Sequence, residues 1–229
     1  MSPDTVTESE KPLRADALRN RNKVLAAART AFAQQGPDVA ISEILKLAGV
    51  GSGTLFRHFP TKQDLLVAVL EQTFDQLDDQ IVAALEDEDP WQGLVTLLTT
   101  TAEMQARDAA FLASVGPELF AVESLQQRNE RMMVRMSGLL DRAKAAGVVR
   151  DDLAAEDLPF LISAIGGATQ SCAPASVVGT SPDLWRRYLG FVLDGLRPQG
   201  AHPLPQPPPT LAQMKAMKAA KASMRCGAE

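Results

Sequence analysis

Cysteine is nearly missing from this chain of 229 residues: Cys172 and Cys226 stand far apart and no CxxC occurs. That excludes the disulfide framework of a small secreted domain. Histidine is as scarce, with His58 and His202, and no His/Cys cluster offers the ligand set of a structural or common catalytic zinc site. No metal ligand is therefore expected. No apolar run approaches the roughly 20 residues that cross a bilayer. The first residues are acidic and polar, unlike a secretory signal, so the expected setting is a reducing cytoplasm with no membrane partner. Alternating runs rich in Val, Ile, Thr and aromatics are absent, as is any repeat with a period of about 20–50 residues. GxSxG, HExxH, GxGxxG and P-loop patterns are all missing. The paired acids Asp151-Asp152 and Glu156-Asp157 stand at a loop and a helix start, where they favour the helix dipole. No catalytic residue and no cofactor is expected.

What is present is ordinary globular stock, 45% hydrophobic and 22% charged, with a net charge of −5. The charge is unevenly spread. Residues 1–10 carry net −3, residues 11–62 net +6, residues 63–196 net −12 and residues 197–229 net +4. A basic module is attached to an acidic body, so the overall sign does not exclude nucleic acid.

Almost every patterned segment reads as helix. Val24, Leu25, Ala28, Ala31 and Phe32 share one face of a helix over about 19–35, which Gly36-Pro37 ends. Ile41, Ile44, Leu45 and Ala48 give a second of only two turns, broken by Gly49-Val50-Gly51. A third covers about 52–59 and stops at Pro60. A fourth, capped by Thr61 with Asp64 three residues on, runs to about Leu85. Further helices are expected over about 90–107, 109–115, 124–146, 157–170 and 182–196. The fold class is all-α. The expected division is a disordered N-terminal arm over 1–15, a basic three-helix domain over 16–62 and a larger helical bundle over 63–197. A Pro-rich linker and basic tail occupy 198–229, the tail read as a solvated, partly helical extension.

Residues 41–59 carry the informative pattern: an amphipathic two-turn helix, a glycine-bearing turn and a second short helix, the helix-turn-helix arrangement. Gly49 fits a turn that a Cβ would obstruct. Leu55 and Phe59 face the core, which leaves Ser52, Thr54, Arg57 and His58 on or near the outside. Arg57 is long enough to reach a guanine edge or a phosphate. Lys62, opening the next helix, can meet a phosphate together with the helix N–H groups.

Residues 36–70, GPDVAISEILKLAGVGSGTLFRHFPTKQDLLVAVL, resemble the DNA-binding domain of the TetR/AcrR family of transcriptional regulators. AGVxxGTLFxHF followed by PTKxDLL is far richer than a generic helix-turn-helix. The resemblance implies that Ser42 touches a base or phosphate and that Gly51, Ser52, Gly53 and Thr54 open the recognition helix. It further implies that Arg57 bears specificity and that His58 and Lys62 contact phosphate. Two residues depart from the family pattern. Phe56 stands where a Tyr is usual, so a phosphate-binding hydroxyl is missing, and Phe56 is read as packing. Leu45 stands where Ala is frequent. Arg19, Arg21 and Lys23 serve equally as a solvated face or as contacts to the DNA backbone.

One short recognition helix reads few base pairs, so specificity calls for two copies about one helical turn apart on a near-palindromic operator. The resemblance implies a homodimer built from the last two core helices. Ala164, Gly166 and Gly167 permit close helix approach, and Trp185, Leu189, Val192 and Leu193 form an apolar stripe that Leu196 extends. The alternative is that this stripe packs within its own chain. Thr101, Met104, Phe111, Leu112, Val115, Met132, Met136 and Phe160 are candidates to line a pocket for an unidentified small-molecule effector. Each serves equally as core. The expected function is ligand-responsive repression of transcription. An architectural or nonspecific DNA-binding role without an effector is the alternative.

Overall fold

The computed structural model describes residues 10–36, 38–108, 111, 119, 122–172, 183–210, 212–214 and 216–217. Among them no strand occurs. The helices are α1 (Glu10–Gln35), α2 (Ile41–Ala48), α3 (Ser52–His58), α4 (Lys62–Glu86), α5 (Pro90–Arg107), α6 (Glu123–Ala145), α7 (Leu158–Cys172) and α8 (Leu184–Leu196). Short 3-10 turns lie at Ala155–Asp157 and Pro198–Gly200. α1 starts nine residues before the expected Arg19, so residues 10–15 are helical rather than part of a disordered arm. Residues 1–9, and all but Phe111 of the expected 109–115 helix, lie outside the described residues. No described helix is long and apolar enough to cross a membrane.

The chain divides into two compact units, residues 1–70 and 71–229. The division falls inside α4 rather than at the expected 62/63. The reason is that Leu65, Ala68, Val69 and Leu70, on the first turns of α4, are buried apolar residues of the first unit.

In that first unit, Val24, Leu25, Ala28, Ala31 and Phe32 form the buried face of α1, against which α2 and α3 pack. Ile44, Leu55 and Phe59 complete the apolar interior. α1 ends at Gly36, whose φ of 78° lets its N–H donate to the Phe32 carbonyl at 2.9 Å. Thr61 and Asp64 start α4 as the spacing predicts. The Thr61 N–H donates to Asp64 Oδ2 at 2.9 Å, and the Asp64 N–H donates to Thr61 Oγ1 at 3.1 Å.

In the second unit α5 begins at an Asp89 cap, whose Oδ1 accepts from Trp91 N–H at 2.9 Å and Gln92 N–H at 3.3 Å, with Pro90 at the first helical position. α6 closes at Gly147, φ 67°. Leu94, Leu97 and Leu98 of α5 meet Leu139, Leu140 and Ala143 of α6 in one core, with Ile162 and Ile165 of α7 and Trp185 and Leu189 of α8.

α4 and α6 are joined by arginines seven residues apart. Arg128 donates to Asp75 at 2.8 Å and Glu71 at 3.4 Å. Arg135 pairs with Asp78. Arg142 donates to the carbonyls of Leu85 at 2.7 Å, Glu88 at 3.2 Å and Asp87. Glu71, Asp78 and Leu85 are also seven apart, so the two helices run parallel with a heptad register. Arg142 thereby supplies donors to carbonyls that the end of α4 leaves open.

Candidate functional site

The turn between α2 and α3 is built on Gly49. Its backbone is left-handed, φ 64° and ψ 34°, and its N–H donates to the Leu45 carbonyl at 3.0 Å. That is the αL stop for which glycine is favoured. Val50, half-buried, comes next, and Gly51 caps α3 from extended backbone. Leu55 is fully buried on α3, while Ser52, Gly53 and Arg57 are exposed on the opposite face with Phe56 among them. Ser42, near the start of α2, and Gly51 are exposed too. Thr54, His58 and Lys62 are half-buried. The His58 ring stands tilted against Phe59, with centroids 6.2 Å apart.

Two expectations for this unit change. Phe56 does not pack: it is 47% exposed, because its place on the helix is the outer face rather than the Leu55 face. Arg21 does not lie on a freely solvated face. Its guanidinium lies 5.5 Å from the Phe59 ring centre, a cation–π contact within the unit. Arg19 pairs with Asp16 one helical turn away.

The second unit holds a cavity of about 230 Å³. Thr101, Met132 and Met136 are among the residues that line it. They are joined by Phe74, Leu77 and Ile81 of α4, Leu97, Leu98 and Gln105 of α5, Asn129 and Met133 of α6, and Leu158, Pro159, Ile162 and Ser163 of α7. Ala155 and, from the tail, Met214 complete the wall. Among the described residues, none that lines it is charged.

Three pocket expectations are not met, and two more fall outside the described residues. Met104 lies on another flank of α5, in a groove with Gln76, Gln80 and Thr100. Phe111 is buried but not part of the wall, and Phe160 is 41% exposed on the outside of α7. Leu112 and Val115 lie outside the described residues. The α4 wall carried no distinguishing signal in the sequence. Its apolar residues have the spacing of any amphipathic helix.

The expected dimer stripe also changes. Trp185 and Leu189 are each 3% exposed, buried in the chain's own core, and Val192 and Leu193 pack against the same core. Gly166 faces inward as well. A Cβ there would sit 3.2 Å from the Gln105 side chain. The cause is that α8 carries two apolar stripes, and the one read from the sequence is the inner. The outer stripe has Leu184, Tyr188 and Phe191, the last 61% exposed, with Gly195 continuing the four-three-four spacing. On α7, Phe160 and Ala164 are exposed four residues apart, and Gly167 occupies the next position of that register.

Among the described residues no group of three or more His, Cys, Asp or Glu could hold a metal.

Comparison with known proteins gives a consistent answer for both units. Residues 24–69 match the family described as bacterial regulatory proteins, tetR family, and residues 89–198 match the transcriptional regulator SbtR-like C-terminal domain. The chain is 31% identical to the TetR transcription regulatory protein from Mycobacterium vanbaalenii, over 81% of this chain and 99% of that one, with a TM-score of 0.62. To the TetR transcriptional regulator SCO0520 from Streptomyces coelicolor it is 27% identical, over 79% and 99% of the two chains, TM-score 0.61. Over 87 residues it is 32% identical to the HTH-type transcriptional regulator SAR0097 of Staphylococcus aureus. That stretch is 37% of this chain and 45% of the relative.

Proposed function

The chain belongs to the TetR family of DNA-binding transcriptional regulators, and from this premise we propose that it is a dimeric, effector-responsive repressor that reads a near-palindromic operator through α3. The observation that carries the reading is the face of α3 opposite Leu55. Small polar residues at its start, Ser52 and Gly53, let backbone approach a major groove, and Arg57 extends from the next turn. Ser42, Gly51, Thr54, His58 and Lys62 are assigned the supporting contacts, with Lys62 and the capped start of α4 set against a phosphate.

Selection of bound duplexes from a random pool tests this assignment. The wild-type protein enriches one near-palindrome. Arg57→Ala broadens base preference at one or two positions, at a cost of about 1–3 kcal/mol, whereas Lys62→Ala weakens all sequences alike and flattens the salt dependence. Equal loss in both variants would reduce Arg57 to a phosphate clamp. No enriched sequence at all would favour the architectural role.

The proposed partner surface is the outer stripe of α8, Leu184, Tyr188 and Phe191, with Phe160 and Ala164 of α7. Aromatic residues exposed at heptad spacing suit a helix-packed interface between copies. The proposed effector is a neutral, largely apolar molecule held in the 230 Å³ cavity, with Asn129, Ser163, Thr101 and Gln105 as hydrogen-bonding groups. The effector acts by population shift: it binds best to the dimer whose recognition helices are wrongly spaced for the operator. α4 is the lever, since one continuous helix carries Lys62 at its start and the cavity residues Phe74, Leu77 and Ile81 further on. An effector that fills the cavity yet leaves operator affinity unchanged would defeat this coupling.

A further inference from the structure

As far as Met214, the described part of the tail is held against the second unit. Arg150 donates to the carbonyls of His202 at 2.7 Å and Gly195 at 3.3 Å, and also pairs with Asp152 through a 2.9 Å bond. Asp152 Oδ2 in turn accepts from the Leu204 N–H at 3.4 Å. The next stretch holds Pro205, Pro207, Pro208 and Pro209, which lack N–H donors and restrict the chain to extended geometry, so little freedom is lost in aiming the turn that begins at Thr210. Thr210 and Gln213 form a reciprocal cap there. The Thr210 N–H donates to Gln213 Oε1 at 2.8 Å, and the Gln213 N–H donates to Thr210 Oγ1 at 3.2 Å. The turn so started places Met214 in the cavity wall, only 7% exposed, while Ala212, Gln213, Ala216 and Met217 stay outside.

We infer that the tail turn carrying Met214 is a built-in occupant of the effector cavity, a strap whose Met214 an incoming apolar ligand must displace. The inference rests on the reading of that cavity as the effector site. An unbranched thioether suits an uncharged, irregular cavity. With Met214 seated, the remaining 230 Å³ is below the roughly 300 Å³ at which pockets for drug-sized ligands begin. One buried side chain on an otherwise exposed turn is an anchor that can be released. Effector affinity is therefore reduced by the fraction of molecules in which the strap is seated.

The test titrates the full-length protein with the neutral fluorophore N-phenyl-1-naphthylamine. Met214→Asp puts a charge where only apolar and neutral polar groups can receive it, so the strap stays out. The expected result is about tenfold tighter dye binding than in the wild type. Adding Thr101→Phe, which fills the cavity, removes that gain; Ser163→Phe replaces it if the first lacks wild-type helical circular dichroism. In the wild type, saturating dye speeds amide exchange across 210–217. If Met214→Asp binds dye no better than the wild type, or exchange in 210–217 ignores the dye, the strap is overturned. Sensitivity to Thr101→Phe would then leave the cavity standing as a ligand site. If dye binding ignores both filling substitutions, the cavity itself is not the site and the strap falls with it.

Discussion

Gly49 shows how one residue serves two ends. Its left-handed backbone stops α2 after two turns and turns the chain into α3, and no atom lies within 4 Å of where a Cβ would be. The cost of replacing it is thus conformational, not steric. Gly49→Ala should destabilise the protein by about 1–2 kcal/mol in chemical denaturation, with no loss of the packed core. Phe56 is the opposite case. Apolar character pointed inward, but the register of α3 puts the ring outside, beside Arg57. A hydroxyl added there meets solvent or a phosphate, not a packed wall. Phe56→Tyr should leave thermal stability nearly unchanged and tighten duplex binding about threefold to tenfold in a fluorescence titration. The glycine's role was legible because a turn between two short amphipathic runs leaves few residue types. The phenylalanine's was not, because hydrophobicity says nothing of which side of a seven-residue helix a ring takes.

Helices of the second unit owe their placement to contacts that periodicity does not display. Arg128, Arg135 and Arg142 bind α6 to α4 in parallel register, yet in the sequence they are three cations among many on a polar face. The entry into α5 is tighter still. A Cβ on Gly93 would lie 2.5 Å from the Ala84 carbonyl and 3.2 Å from the Asp87 Cβ, so this glycine permits the start of α5 to lie on the end of α4. Gly93→Ala should cost about 1–3 kcal/mol, read as a lower denaturation midpoint, while the isolated change in helix propensity would act the other way. The sign of that result separates close approach from propensity. Helix bounds, by contrast, were readable from local chemistry. Thr61 with Asp64, Asp89-Pro90 and Gly147 each mark an end that neighbouring backbone groups enforce.

At the level of the whole molecule, the proposal joins a basic reading head, an acidic body and a second copy of the chain. In the proposed repressor, pairing of copies is the step on which operator spacing depends. Phe191→Asp alters the outer stripe of α8 without touching the core that Trp185 and Leu189 fill. It should yield a folded monomer in sedimentation analysis and lower operator affinity by at least tenfold, because one recognition helix alone binds too few base pairs. Trp185→Asp should instead unfold the second unit, since its ring is buried within the chain.

Local pattern was enough to show that the protein is helical, where most helices begin and end, and that residues 41–59 form a helix-turn-helix with Arg57 on its outer face. These properties arise from interactions within about four residues: caps, left-handed glycines and the 3.6-residue period. Which of the two apolar stripes on α8 is core, which methionines border the cavity and that Met214 reaches it from the tail emerged only from the packed helices. Those outcomes depend on contacts between segments tens of residues apart, where several apolar faces compete for one interior and local pattern cannot choose among them.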